Sequence, residues 1–266
     1  MLIPAMQSWF GYDVPTRERF QAIYAAGFRR VAPFWGESLC RADIAYGRQP
    51  ALAAECGLGI DSFHYPFLDT NRLWLEGEET ERLMKMLVNC IHDTARFGVA
   101  SGVMHLTRTF EPPPFCENGL KRIARLVDEA EKYEVNLAFE NLARNDYIDC
   151  VLTRLHSERI RICYDAGHEF AYSSVCDVPE RYGKLISVVH FSDNFGVKDE
   201  HLLPFEGIVD WSSVMKRLRR CGYSGGFVIE ASNDPTCCPK RGMEAFLADA
   251  FDAAKRLLLL YDEADA

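Results

Sequence analysis

Six residues able to hold a metal or move a proton recur at the ends of short apolar runs: His64, His105, Glu140, Asp165, His190 and Glu230. Any one of them alone reads most simply as a hydrogen-bonded structural histidine or a solvated acid. Six in phase, each roughly one strand-plus-helix unit from the next, read as a set. "DAGH" adds His168 three residues after Asp165, and "KDEH" adds Asp199 and His201. Five of the seven histidines thus join the set, while His92 and His156 sit in helical patterns and receive no role. Imidazoles mixed with carboxylates form a borderline-soft N/O donor set that suits Zn2+, Mn2+, Fe2+ or Co2+ better than Ca2+. No cysteine stands among these run ends, which argues against a structural thiolate zinc site. A catalytic site, by contrast, keeps an open position for water or substrate.

The elements that must bring these residues together follow a strand–helix rhythm. Eight strand candidates appear at 2–6, 29–34, 58–64, 100–105, 135–140, 161–165, 186–190 and 225–230. Helical patterns fill most gaps, as in "TRERFQAIYAAG", which opens on a Thr cap and stops at Gly27, and "EETERLMKMLVNCIHDTARFG", with its apolar stripe. Two gaps are weaker: "YGRQPALAAECG" is interrupted by Pro50, and "SSVCDVPERYGKL" offers a short helix at best. Eight such repeats over 266 residues predict an α/β protein with a single (β/α)8 TIM barrel spanning residues 1–266. An open doubly wound sheet would show a glycine-rich phosphate loop after a strand, and none appears. In a barrel the carboxyl ends of all strands face one mouth, so the six residues should meet there. "FEPPPF" (110–115) reads as a rigid loop near that face.

Composition narrows the classes. Hydrophobic residues make up 48% of the chain, enough for a full core, and the net charge is −9. A protein that neutralises a phosphate backbone usually shows a basic face. The best basic cluster here, "KRLRR" (216–220), lies on a helical pattern and reads as a solvated face. The ten cysteines are scattered, with one adjacent pair, Cys237-Cys238, and read as reduced thiols of a cytoplasmic protein. The start "MLIPAMQSW" has no signal-peptide pattern, and no apolar run reaches the roughly 20 residues that span a bilayer, so no membrane partner is expected.

The chain resembles the xylose isomerase-like TIM barrels: sugar phosphate isomerases and epimerases, inosose dehydratases and the endonuclease IV group. "FEN" at Glu140, "DAGH" at 165–168, "HFSD" at 190–193, "DEHLLPFEGIVDW" at 199–211 and "VIEAS" at Glu230 carry the resemblance, which spans nearly the whole chain. The ketose epimerase branch implies one divalent metal (Mn, Zn, Co or Mg) on Glu140, Asp165, His190 and Glu230. Glu140 and Glu230 would there serve as acid and base, removing the proton α to a carbonyl through a metal-held enediolate, with His168 as a further proton carrier. The endonuclease IV branch implies further zinc, held by all nine of these residues, with His64, His105, Asp199 and His201 added to the four and to His168. Outside that branch these four would bind a second metal or the substrate.

Three departures bear on the branch. Phe205 stands where the motif after "DEH" has glycine, which puts a close backbone approach in doubt. Gly196 stands where ketose 3-epimerases carry an arginine, which opposes ketose 3-epimerisation in particular. The charge of −9 opposes a nucleic-acid partner. The resemblance therefore implies a metal-dependent isomerase or epimerase acting on a small sugar or sugar phosphate, and assembly as a homo-oligomer. The alternatives are a zinc phosphodiesterase on abasic DNA, an inosose-type dehydratase, and a non-catalytic sugar-binding barrel. Trp35, Phe67 and Trp74, just after the second and third strands, could stack on a sugar, although loop packing explains them equally well. Arg144, Asn145 and Lys198 are candidates for a phosphate or carboxylate group.

Overall fold

The computed structural model describes residues 2–36, 43–108, 110–172, 177–233 and 241–264. In its first half the chain runs β1 (Ile3–Gln7), α1 (Thr16–Ala26), β2 (Arg30–Ala32), α2 (Gln49–Glu55), β3 (Gly59–Ile60), β4 (Phe63–His64), α3 (Glu78–Arg96), β5 (Ser101–Met104) and α4 (Glu117–Lys132). It continues through β6 (Asn136–Glu140), α5 (Asp146–Arg154), β7 (Ile160–Asp165), α6 (Ala166–Tyr172), α7 (Val178–Tyr182), β8 (Ile186–Phe191), α8 (Trp211–Arg220), β9 (Gly226–Ile229) and α9 (Met243–Glu263). Among the described residues these strands all pair in parallel, in the order β3-β2-β1-β9-β8-β7-β6-β5-β4. A parallel bridge between Phe34, just beyond β2, and His64 of β4 closes the sheet. The result is a single-domain barrel of parallel strands with helices between them.

Among the described residues nine strands stand where eight are expected, because the run 58–64 divides. Its first half, β3, pairs with β2, and its second half, β4, pairs with β5. Asp61 and Ser62 lie between the halves, so one tilted strand serves its two neighbours in turn. The weak gaps also resolve. Pro50 falls in the first turn of α2, where the missing N–H costs nothing, so it starts the helix instead of interrupting one. Thr16 does not cap α1 with its own side chain. Its N–H and hydroxyl instead donate to the Asp43 carboxylate, at 2.7 and 2.8 Å, so the helix start is held from another segment. Gly27 ends α1 with φ of 118°, as expected of a helix stop.

Strand alternation sorts the side chains into two cores. On β6, Leu137 and Phe139 join the large apolar layer between barrel and helices, as do Ile162 and Tyr164 on β7 and Phe227 and Ile229 on β9. The intervening residues point the other way and form two small clusters, Val103–Ala138–Cys163–Val188 and Ala5–Ala32–Val228. Two residues further along each of β5, β6, β7, β8 and β9 come His105, Glu140, Asp165, His190 and Glu230. The candidate ligands are therefore the next layer up, seated on small apolar residues. Of the basic "KRLRR" cluster, Arg217 is not solvated: its guanidinium forms paired bonds to Glu169 and Glu180. Cys56, Cys90, Cys116, Cys150, Cys163 and Cys221 are free thiols, and the Cys237-Cys238 pair lies outside the described residues. No helix among the described residues is long and apolar enough to cross a membrane.

On the opposite face, Gly102 of β5 illustrates how tightly barrel and helices pack. A Cβ there would lie 2.1 Å from the Tyr65 ring, and Tyr65 is fixed by its hydroxyl bond to Thr94. Gly102→Ala is expected to lower stability by about 1–3 kcal/mol through overpacking, read as a reduced midpoint in urea denaturation.

Candidate metal centre

Three groups of side chains bring their ligand atoms within 4.8 Å of one another: Glu140, Asp165, His190 and Glu230; His64, Glu140 and His190; and His168, Asp199 and His201. The nine residues singled out in the sequence thus share one end of the barrel. His105 joins them through its Nε2, 2.8 Å from Glu140 Oε2. Glu140 is the hub. Its Oε2 also faces His64 Nε2 at 3.2 Å, and its Oε1 faces His190 Nδ1 at 3.2 Å. Its side chain is fully enclosed, whereas Glu230 opens onto the cavity above.

The backbone sets the direction of three imidazoles. A carbonyl only accepts, so a ring nitrogen bonded to one carries the proton. His64 Nδ1 donates to the Tyr65 carbonyl at 3.0 Å, His168 Nδ1 to the Asn141 carbonyl at 3.2 Å, and His201 Nδ1 to the Glu230 carbonyl at 2.7 Å. Each ring then presents Nε2 to a carboxylate: Glu140 for His64, and Asp199 for His168 (3.1 Å) and His201 (2.8 Å). A carbonyl bonded to one ring nitrogen, with the other turned to the carboxylates, is the arrangement that orients metal-ligating histidines, and the Nε2 proton is released when a cation binds.

The donor set fits a divalent cation. Asp165 Oδ2, Glu230 Oε2 and Asp199 Oδ1 are buried without a hydrogen-bond partner, although buried polar atoms are normally paired. Glu230 Oε2 lies against His190 Nδ1 yet makes no bond of acceptable geometry. Burial, reinforced by the charges of Glu140 and Glu230, pushes the Asp165 carboxyl up to about 7, even with His168 nearby. Burial would raise Glu140 too, but His190 and His105 outweigh it and hold that carboxyl well below its usual range. His201 is opposed by burial, yet Asp199 raises it to about 10, and Asp199 is lowered in turn. In the chain alone, protons therefore occupy the space between these lone pairs.

The cavity over this floor measures about 310 Å3. His64, His105, His168, Asp199, His201 and Glu230 line it, together with Phe67, Arg108, Phe110, Leu142, Ala143 and Tyr172. Phe67 is thus present as expected, and Phe110 places the proline-rich loop at the mouth. Five other candidates do not line it. Trp35 is fully buried, stacked on Phe63 at 3.9 Å, and donates its indole N–H to Asp93, so it belongs to the core. Trp74 donates to the Leu106 carbonyl at 2.7 Å and packs edge-on to Tyr147 beneath the loop. Arg144 forms a two-point pair with Asp146, at 2.9 and 2.7 Å, away from the cavity. Lys198 is exposed on the loop after β8 and does not line the cavity, and Asn145 accepts the Leu142 N–H locally.

Reasoning from sequence missed Arg108, Tyr172 and Asp193. Tyr172 lies one helical turn after His168 and stacks on it, a spacing that could have pointed to it. Asp193 stands in "HFSD" and organises the loop carrying Asp199 and His201. Its Oδ1 accepts the N–H groups of Asn194 and Val209, and its Oδ2 those of Phe205 and the Trp211 indole. The close approach doubted at Phe205 is kept. Phe205 adopts a φ of 78°, its N–H reaches Asp193 at 2.8 Å, and its ring lies 3.6 Å from the Arg256 guanidinium carbon.

The profile of the xylose isomerase-like TIM barrel family matches residues 20–256. The chain belongs to this family. An uncharacterized protein, y4fM, of Sinorhizobium fredii is 28% identical, with 87% of this chain and 85% of that protein aligned. Among solved structures, a D-tagatose 3-epimerase-like protein is 19% identical over the full length of both chains, with a TM-score of 0.79. An L-ribulose 3-epimerase is 17% identical over 100% of this chain and 96% of its own, with a TM-score of 0.77. At these identities the likeness shows the shared fold. The family thus accounts for a barrel with its donors at one mouth, and the chemistry rests on the residues themselves.

Asp165 yields a test that separates metal binding from folding. Its carboxyl titrates near 7 in the folded chain and near 3.8 when unfolded, so the folded state holds the extra proton between those values. Stability of the metal-free protein should therefore fall as pH rises through that window. Asp165→Asn should stabilise the chelator-treated protein at pH 8 by about 1–4 kcal/mol and much less at pH 4, while greatly weakening divalent-metal binding. Urea denaturation at the two pH values and calorimetric metal titration check both halves.

Proposed function

We propose that the protein is a divalent-metal-dependent isomerase or epimerase of a small sugar or sugar phosphate. The observation that carries this reading is the pair of buried carboxylates, Glu140 and Glu230, converging with Asp165 and His190 beneath a sugar-sized cavity. The sugar epimerases among the similar folds support it. Glu140, Asp165, His190 and Glu230 would hold one Mn, Zn, Co or Mg ion. When bound, that ion would polarise a substrate carbonyl and so lower the cost of removing the adjacent proton.

The protein side chains do the rest. Glu230 opens onto the cavity and takes the proton α to the carbonyl. Glu140 is walled off by His64, His105 and His190, so its charge is paired with these rings and its own access runs through them. His168 and His105 line the cavity, and His168 is held above its ordinary range against the opposing effect of burial by Asp165 and Asp199. His168 is thus the best-placed group to return a proton at the other face or the neighbouring carbon. Phe67, Phe110 and Tyr172 exclude water around the reacting carbons.

The His168–Asp199–His201 group favours a second reading, a zinc phosphodiesterase holding more than one metal. Elemental analysis of purified protein separates the two: one Mn, Co or Mg per chain fits the first, and three zincs with cleavage of abasic DNA fit the second. For the first, incubation in D2O should place one deuterium at the carbon α to the carbonyl of a ketose or ketose phosphate. At saturating metal, Glu230→Gln should reduce that exchange by at least about 100-fold, while Glu140→Gln should lower it through weaker metal binding. Full exchange in the Glu230→Gln variant would remove Glu230 as the base.

A further inference from the structure

Among the described residues, Arg108 is the one lysine or arginine that lines the cavity. It stands in the loop after β5, at the exposed rim, while the histidine–carboxylate floor is buried. The loop after β4 fixes its place. Its backbone N–H donates to Asn71 Oδ1 at 3.0 Å, and its Nη1 donates to the Leu68 carbonyl at 3.2 Å. Among the described residues no carboxylate pairs with it, in a chain of net charge −9 where Arg144, Arg154 and Arg217 all have acidic partners. A guanidinium has five donors in a planar fork that matches phosphate and carboxylate, and the Leu68 carbonyl takes one of them. Phe67 and Phe110 line the cavity beside it.

We propose that Arg108 recognises an anionic group, a phosphate or a carboxylate, on the end of the substrate remote from the metal floor. This rests on the reading of the cavity as a sugar site. A cavity of about 310 Å3 lets one sugar-sized ligand span from Glu230 to Arg108. The reacting carbons then lie over the carboxylates, and the anion lies at the rim, away from their repulsion. Arg108 thus replaces Arg144 and Lys198 as the group that selects a charged substrate.

The test titrates metal-loaded protein with ribitol, ribonate and ribitol 5-phosphate at low ionic strength by calorimetry. At least one of the two anionic polyols should bind at least about tenfold more tightly than ribitol, and the larger gain identifies phosphate or carboxylate as the group read. In Arg108→Gln that ratio should fall to about twofold or less, with metal stoichiometry and near-ultraviolet circular dichroism matching the parent. Equal binding of all three by the parent chain overturns the inference, as does a ratio that survives the substitution. Failure of all three to bind overturns the sugar-site reading and this inference with it. An Arg108-dependent preference for duplex DNA with an abasic site over ribitol 5-phosphate overturns the inference in favour of a nucleic-acid contact.

Discussion

The structure is organised around the cost of burying acids. Glu140, Asp165 and Glu230 meet within a few ångströms at one end of the barrel, with Asp199 close above them. Charged carboxylates out of water must be paired, protonated or bound to a cation. Histidines surround Glu140 and Asp199, while Asp165 retains a proton to near neutrality. Three carboxylate oxygens are still without a hydrogen bond. Such a cluster is an expensive way to build a core and a direct way to build a site for a divalent cation.

The barrel meets that cost by geometry. Parallel strands alternate their side chains, so each ligand is lifted one layer above a small apolar residue such as Ala138, Cys163 or Val228. Bulk beneath the site would push the donors apart. Backbone carbonyls of Tyr65, Asn141 and Glu230 then fix the tautomer and direction of three rings. The chain supplies orientation from its main chain and charge from its side chains.

The loop after β8 completes the site at some conformational expense. Asp193 gathers four N–H donors and pairs its backbone with Leu202, which folds the segment back over the mouth. His201 and Phe205 both adopt positive φ, 50° and 78°, a conformation that costs about 1–3 kcal/mol where the residue is not glycine. The Asp193 bonds and the Arg256–Phe205 contact offset that strain. Its result is an imidazole placed against Asp199, within reach of His168.

The barrel and the nine donors were legible in the chain itself, because strand alternation and the strand–helix repeat are periodic, and periodicity is a property of sequence. Residues at the ends of successive strands must converge in a closed parallel barrel, whatever the details of packing. What tertiary structure alone decided is how each side chain spends its polar atoms. Trp35 and Trp74 follow strands just as a sugar-stacking residue would, but Asp93 and Leu106, distant in sequence, claim their N–H groups and draw them into the core. Arg144 carries the right charge and finds Asp146 first, while Arg108, unremarkable in sequence, is left at the mouth without an acid. The division of 58–64 into two strands and the enclosure of Glu140 beneath the more open Glu230 likewise depend on neighbours that only folding brings together. Spacing determines which residues can meet, and competition among their partners determines which remain free to act.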